Sequence, residues 1–179
     1  MDILSVIKKR RHIHNFKSDP IPSSKIEHLL EAARWAPSAG NLQPWEIVVI
    51  RSDSQKADLV DACGGKPYML TAPVLLVFCA DLNRTGGRYG DRGTSLYVIQ
   101  DTAAAIQNVL LAAKDLGLGT GWVGAFDEGG ASRVLDLPSH VRPMAVVLLG
   151  TADEDPKPPP RREVKEFAHL ERFGQQGRL

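Results

Sequence analysis

The chain has 179 residues, enough for one domain with a substantial hydrophobic core. Hydrophobic residues make up 43% of it and charged residues 24%, which is typical of a globular protein. The formal net charge of +1 gives no reason to expect nucleic acid or an acidic membrane surface as a partner. Cys63 and Cys79 have neither metal-ligand spacing nor a disulfide pattern, so we expect two buried thiols.

Targeting and membrane segments are not predicted. Residues 1–5 contain no long apolar stretch of the kind that forms a secretory signal. The longest apolar run, Val74 to Ala80, is too short to span a bilayer. We therefore expect a cytoplasmic protein with no membrane partner. The chain also carries no Ser-His-Asp series, zinc-protease motif or P-loop, so neither a metal site nor an acid–base catalytic set is predicted.

The first predicted helix is capped by Asp2 and ends in a run of basic residues. Lys8 to Arg11 place four cations at the helix C terminus, where they complement the helix dipole. His12 and His14 continue the run, so that six of the seven residues from 8 to 14 are basic. The dipole accounts for the first four cations, whereas a phosphate-binding site would account for the whole run.

A second helix is predicted to begin at a capping box, Ser24 to Glu27, and to end before a loop, Ala36 to Trp45. Two prolines stiffen this loop, while Ser38, Asn41 and Gln43 supply donors and acceptors. A stiff loop with several polar groups suits a planar, polar ligand that is held in one orientation. A well-packed turn before a half-buried strand would account equally for the same residues.

The middle of the chain alternates predicted strands and helices. Asp81 to Thr94 holds four glycines and several charges, so we expect a mobile excursion or lid outside the core. Thr120 to Phe126 is apolar and punctuated by glycine, so its backbone could approach a ligand closely. The other predictions are strands at 46–51, 74–79 and 145–149, a helix capped by Ser52 or Asp53, and a long central helix over 95–116.

The chain changes character after Thr151. Residues 153–160 hold four prolines and predict an extended arm. Four apolar side chains beyond the arm are cut off from the core: Val164, Phe167, Leu170 and Phe173. Such a tail either frays or buries its apolar residues on a second copy of the chain, and we favour the second copy. The prediction is a single domain, 1–179, in which 151–179 packs on a partner subunit.

The loop from Pro37 to Trp45 closely resembles the Pro-Ser-x-x-Asn-x-Gln-Pro-Trp signature of the FMN-dependent nitroreductase family. Arg10 to Phe16 resembles the N-terminal Arg-Arg-Ser-x-Arg-x-Phe element of that family, and Gly117 to Gly124 and Pro158 to Arg162 are similar to later landmarks. The resemblance covers most of the chain. It implies an α+β fold, a three-layer sandwich whose mixed, mainly antiparallel sheet is flanked by helices, and an intertwined homodimer with FMN sites at its interface.

The resemblance also implies which residues bind the FMN phosphate and ribityl chain. These are Arg10, Arg11, His12 and His14, together with either Arg161 or Arg162. The family commonly has Ser at position 12 and Arg or Lys at position 14. Histidine is a full cation only below about pH 6.5, so FMN binding would be weaker or pH-dependent here, unless the arginines suffice.

Further residues are implied for the isoalloxazine ring. The loop residues that would lie against it from the partner subunit are Pro37, Ser38, Ala39, Asn41 and Gln43. The backbone of Trp122, Val123 and Gly124 would reach its other edge. Lys66 would lie near N1 and O2 of the ring, where a cation stabilises the negative charge of the reduced form.

The activity implied is that of an FMN-dependent NAD(P)H oxidoreductase. Hydride would pass from NADH or NADPH through the flavin N5 to a nitroaromatic, quinone or similar planar acceptor in a ping-pong scheme. No side chain is assigned a catalytic role, because the flavin carries the chemistry. The alternatives are a specialised relative that dehalogenates its substrate or fragments the flavin, a non-catalytic protein that binds flavin or senses redox state, and a dimeric scaffold without cofactor.

Overall fold

One antiparallel sheet organises the computed structural model of the chain, which describes residues 2–177. Its strands are β1 (Trp45–Ile50), β2 (Val74–Asp81), β3 (Gly119–Val123) and β4 (Val141–Gly150), in the order β1-β2-β4-β3. The helices are α1 (Ile3–Lys9), α2 (Ser23–Arg34), α3 (Asp53–Ala62), α4 (Leu82–Arg92), α5 (Val98–Asp115) and α6 (Glu128–Val134). Strands β2 and β4 are therefore central, and β1 and β3 form the two edges.

The two faces of the sheet support separate cores. Leu76 and Phe78 of β2 pack on α2 and α5, whereas Leu75 and Val77 pack on the other side with residues of α3 and α6. Successive strand residues point to opposite faces, so a strand covered on both sides reads as a continuous apolar run. The predicted three-layer α+β sandwich is confirmed. The described strand pairs are all antiparallel, and the parallel component within residues 2–177 is the single bridge between His12 and Thr120.

The thiols of Cys63 and Cys79 are buried, as predicted. Burial raises the pKa of both thiols, and that of Cys79 to about 12, with the Glu46 carboxylate adding to the effect there. Both side chains are accordingly neutral at physiological pH and serve as small apolar residues.

The segment Asp81 to Thr94, which we predicted as a mobile excursion or lid outside the core, is helical in the structure. The segment forms α4, and a π-helical turn, Gly93–Tyr97, leads from it into α5. A Cβ on Gly93 would lie only 2.5 Å from the backbone oxygen of Thr85, whose side chain is buried. Glycine here permits two turns of helix to approach closely rather than leaving the chain disordered.

The prediction of a capping box at the start of α2 is wrong. The helix begins at Ser23, one residue before the box, and Pro22 occupies the N-cap position without a side-chain hydrogen bond. Ser52 precedes α3 in the same way, with no side-chain cap. Asp2 does cap α1, since its carboxylate accepts the Ser5 N–H at 3.2 Å.

The helical run Leu82–Asp115 is long and apolar enough, by length and composition alone, to cross a membrane. Its α5 portion lies instead between α2 and the sheet, with Ala105, Ile106 and Val109 inside the core. Buried core helices of globular proteins pass the same test of length and composition, so the packing of α5 in the core accounts for its apolar side chains.

The chain beyond β4 follows its own N-terminal segment before leaving the core. Ala152 forms a bridge with Phe16, and the Asp153 N–H donates to the Asn15 carbonyl at 2.9 Å. Farther on, the apolar tail side chains are exposed, Phe173 to 93%. This exposure agrees with a tail that needs a partner surface, and its packing on a second copy stays a prediction.

Candidate cofactor-binding site

The N-terminal segment 10–16 is fixed along the outer edge of β3. The Ile13 N–H donates to the Thr120 carbonyl at 3.0 Å, and Ile13 and Phe16 are buried in the core. The approach is so close that a Cβ on Gly121 would lie 2.6 Å from the Ile13 carbonyl oxygen. Ile13 and Phe16 therefore anchor this segment in the core, and that fixes the position of the basic residues from Arg10 to His14.

A basic cavity of about 530 Å³ opens beside this segment. Its lining within residues 2–177 contains four cationic side chains and no acidic one: Lys8, Arg10, Arg11 and Arg161, with Ile7, Gln107, Pro158 and Pro159 completing the wall. Burial, followed by the nearby charges of Arg161 and Arg11, lowers the pKa of the Arg10 guanidinium. Positive charges brought together in this way fit an anion such as a phosphate group.

The two arginines of the C-terminal arm have different surroundings. Arg161 lines the basic cavity. Arg162 instead donates to the backbone oxygen of Glu166, and its guanidinium lies 5.9 Å from the ring centroid of Phe167. Arg161 is therefore the better candidate for a phosphate contact. Arg11 is partly committed to the arm, because its Nε donates to the Pro156 carbonyl at 3.1 Å.

His12 and His14 lie side by side, with ring centroids 4.4 Å apart. The Nδ1 atom of His12 accepts a hydrogen bond from the Trp122 backbone N–H at 3.3 Å. Burial lowers the pKa of His12. The charges of His14 and Arg10 lower it further, whereas the charge of Glu154 raises it. The backbone N–H of His14 donates to the Glu154 carboxylate at 2.5 Å, and its ring meets the Tyr68 ring edge-on. The pKa of Glu154 is lowered, and the largest cause is the hydrogen bond that its carboxylate accepts from the His14 backbone N–H.

The end of β3 brings further predicted residues to this side of the molecule. Trp122 is half-buried, Val123 is buried, and Gly124 is exposed at the point where the strand ends. The Nζ atom of Lys66 donates to the Ala125 carbonyl. The structure therefore gathers Lys66, the Trp122–Ala125 backbone and His12 at the β3 edge, and their roles toward a flavin stay predictions.

The loop before β1 is held in an uncommon backbone conformation. Gly40, Asn41 and Gln43 all have positive φ values, of 56°, 57° and 50°. The Ser38 hydroxyl accepts the Gln43 N–H at 3.0 Å, and the Gln43 side chain donates to the Asn41 carbonyl at 3.1 Å. Positive φ at non-glycine residues carries strain of about 1–3 kcal/mol each and is characteristic of functional sites.

The loop and the His12–Trp122 contact belong to opposite edges of the sheet. The loop leads into β1, whereas His12 and Trp122 lie at β3. The predicted loop residues are Pro37, Ser38, Ala39, Asn41 and Gln43. Strand spacing puts β1 and β3 about 14 Å apart, because three inter-strand steps separate them. Within one chain the sheet therefore separates the loop from the β3 residues, and the assembly of a site from two protomers stays a prediction.

Asp101 of α5 supports the loop and was not predicted from the sequence. Its side chain is 7% exposed, and its Oδ1 atom accepts the Ala39 N–H at 3.0 Å. Burial raises the pKa of this carboxyl group, and the Ala39 hydrogen bond partly opposes the rise. Its Oδ2 atom is buried without a hydrogen-bond partner in the described part of the chain. The sequence did contain a signal for this role: Asp101 is an acidic residue on the buried face of the central helix, one turn after Val98.

Replacing Asp101 with alanine is expected to loosen the loop, because the partly buried Ala39 N–H would lose its acceptor at a cost of about 1–3 kcal/mol. Hydrogen exchange of the loop amides 39–43 would then be about tenfold faster or more. Asp101→Asn keeps an acceptor oxygen and should exchange nearly as slowly as the wild type. Asn108→Ala is the matched control, because Asn108 also reaches from α5 to a backbone carbonyl, that of Ala32 in α2. Equal loop exchange in both alanine variants would contradict the assignment.

Comparison with known families identifies this chain. The model of the Nitroreductase family matches residues 7–67 and 62–151. The chain therefore belongs to the nitroreductase family, as the sequence motifs predicted.

Individual relatives agree with this assignment. An NADH dehydrogenase of Thermus thermophilus is 33% identical over 88% of this chain and 90% of its own. An oxygen-insensitive NADPH nitroreductase of Salmonella typhimurium is 31% identical over 91% of this chain and 71% of its own. The solved NADPH:FMN oxidoreductase of Vibrio harveyi in complex with NAD+ superimposes with a TM-score of 0.89 at 25% identity, covering 99% of this chain and 80% of that one.

Proposed function

We propose that the protein is an FMN-dependent NAD(P)H oxidoreductase that acts as a homodimer on nitroaromatic, quinone or similar planar acceptors. The observation that carries the proposal is the basic cavity around Arg10 and Arg161, which has no acidic lining residue within the described chain and lies between the N-terminal segment and the C-terminal arm. The names of the relatives support the same chemistry: one is an NADPH:FMN oxidoreductase, and another is an NADPH nitroreductase. A cytoplasmic location remains a prediction from the sequence.

The residues divide into two groups by the task that each would perform. Arg10 and Arg161 hold the phosphate of FMN, with Arg11, His12 and His14 beside them. Lys66, whose Nζ donates to the Ala125 carbonyl, and the Trp122–Gly124 backbone would lie at the ring edge, where the ammonium group would stabilise negative charge. The loop residues of the partner subunit would cover the ring from the other side. Bound FMN supplies the hydride chemistry, so the protein orients the ring and leaves one face open to donor and acceptor.

The separation of the loop from β3 and the exposed tail both support the proposed homodimer. The loop and the β3 residues of one chain lie at opposite sheet edges, and segment 151–179 presents exposed apolar side chains beyond an extended arm. A second copy satisfies both needs, because it supplies the missing half-site and a surface for the arm.

The test begins with the purified protein and its visible spectrum. We expect a yellow protein whose flavin bleaches with NADH or NADPH in the absence of oxygen and recovers when a nitroaromatic or quinone is added. A protein that binds FMN but is reduced only slowly by both nucleotides would be a flavin-binding or redox-sensing protein. A colourless protein that cannot be reconstituted with FMN would overturn the proposal and leave only the fold.

A further inference from the structure

We propose that His12 is a positioning residue, whose neutral ring holds the Trp122 backbone and joins the phosphate half of the site to the ring-edge half. This inference rests on the proposed function for its effect on flavin. The contact that it requires belongs to the flavin-free chain: the Trp122 N–H donates to Nδ1 of His12 at 3.3 Å. No other predicted cofactor residue links the two halves through its own side chain in the part of the chain that the structure describes.

The position of Trp122 on an edge strand explains why this link is needed. β3 pairs with β4 on one side only, so the N–H and C=O groups of alternate residues point away from the sheet. The outward carbonyl of Thr120 accepts the Ile13 N–H, and the outward N–H of Trp122, two residues on, donates to His12. His12 therefore completes the edge of the sheet at the point where β3 turns toward Gly124.

This contact requires one protonation state of His12. A nitrogen that accepts a hydrogen bond carries no proton, so the ring is neutral and its proton lies on Nε2. The charged and titratable groups that face the ring are Arg10 and His14 of its own segment and Glu154 of the arm. Burial, His14 and Arg10 all lower the pKa of His12, and only Glu154 raises it. The surroundings therefore favour the form that the hydrogen bond requires.

Acidification should consequently weaken flavin binding, which is opposite to what attraction between a histidine cation and a phosphate would give. Protonated His12 has no acceptor nitrogen, so the Trp122 N–H loses its partner and the end of β3 is released. Because the folded pKa lies below the unfolded value of about 6.5, the contact stabilises the fold fully above that value. Its contribution is lost as the pH falls through the folded pKa.

Riboflavin is the suitable probe, because it lacks the phosphate whose own titration and charge would mask the effect. We expect its Kd for the wild type to rise at least about fivefold as the pH is lowered from 8 through the titration of His12. In His12→Asn the amide oxygen can replace Nδ1 as acceptor and does not titrate, so the Kd should be nearly constant over this range. His12→Leu should bind weakly at every pH. His140→Asn, which removes a histidine outside the site, should follow the wild type.

A second measurement does not depend on flavin. In NMR spectra of the flavin-free protein, His12 should be the Nε2–H tautomer, and the Trp122 amide signal should shift with an apparent pKa below about 6.5. The same amide should not titrate in His12→Asn. The inference would be overturned if the Trp122 amide signal does not shift as His12 titrates. It would also be overturned if the Kd for riboflavin depends on pH equally in the wild type and in His12→Asn. If riboflavin and FMN bind at no pH, the proposed function fails, and the NMR titration alone decides the role of His12.

Discussion

Replacing Arg161 with glutamine is expected to weaken FMN binding by about 10- to 150-fold, whereas the same change at Arg162 leaves it nearly unaltered. A charge-assisted hydrogen bond contributes about 1.5–3 kcal/mol, and each 1.4 kcal/mol corresponds to about a factor of ten in Kd. Arg161 lines the basic cavity, whereas Arg162 is engaged with Glu166 and Phe167 in the tail. The two residues are adjacent in the arm and identical in type, so each is the natural control for the other.

Titrations with FMN and riboflavin at fixed salt would measure this difference. Riboflavin lacks the phosphate, so its Kd should be similar in the wild type and in Arg161→Gln. A parallel loss of affinity for both ligands would mean that Arg161 supports the fold of the site rather than the phosphate. Equal effects at positions 161 and 162 would contradict the assignment of the cavity as the phosphate subsite.

Two inactive variants are expected to restore activity to each other when their subunits are mixed. One variant carries Arg10→Gln and Arg161→Gln, which remove charge from the cavity. The other carries Asn41→Gly and Gln43→Gly, which remove loop side chains at positive φ values where glycine is unstrained. If each site combines the cavity of one protomer with the loop of the other, every heterodimer contains one intact site. Random mixing would then recover about a quarter of the wild-type sites.

The control places all four changes in one chain and mixes it with wild-type protein. Under the shared-site arrangement, both sites of each such heterodimer carry a defective half, so heterodimers contribute no activity. If each chain instead formed its own site, the wild-type subunit would remain active in the heterodimer and the two variants would not rescue each other. Native mass spectrometry would establish that heterodimers form in both mixtures.

Much of the sheet could be predicted from the sequence, because its central strands are buried on both faces. Val74 to Cys79 is a continuous apolar run, and in the structure it forms the centre of the three layers. The helix α4 could not be predicted in the same way. Glycine has a low intrinsic helix propensity, so the glycines of this segment argue against a helix. In the structure Gly93 lies so close to the Thr85 backbone that a side chain would not fit there. The packing of these two turns therefore outweighs the local propensity.

The sequence motifs proposed residues for the candidate site but not the contacts that support them. The motifs pointed to Arg10, Lys66 and the end of β3, and the structure brings these to the same edge of the sheet. The support from Asp101 was missed, because a single acidic residue on an apolar helix face does not reveal which distant N–H it accepts. For His12, the motif suggested a phosphate donor, whereas the geometry adds a hydrogen-bond acceptor. Residue type limits the chemistry of a side chain, and the fold decides which nitrogen or oxygen is used.

The burial of both thiols has a practical consequence for studying motion in this protein. A maleimide or iodoacetamide reagent attacks the thiolate, and burial keeps Cys63 and Cys79 protonated and out of reach. A single cysteine introduced at an exposed position, such as Phe173 in the tail, could therefore be labelled selectively without first removing the native cysteines. A fluorophore or spin label at that position would report directly on whether the tail docks on a second copy of the chain.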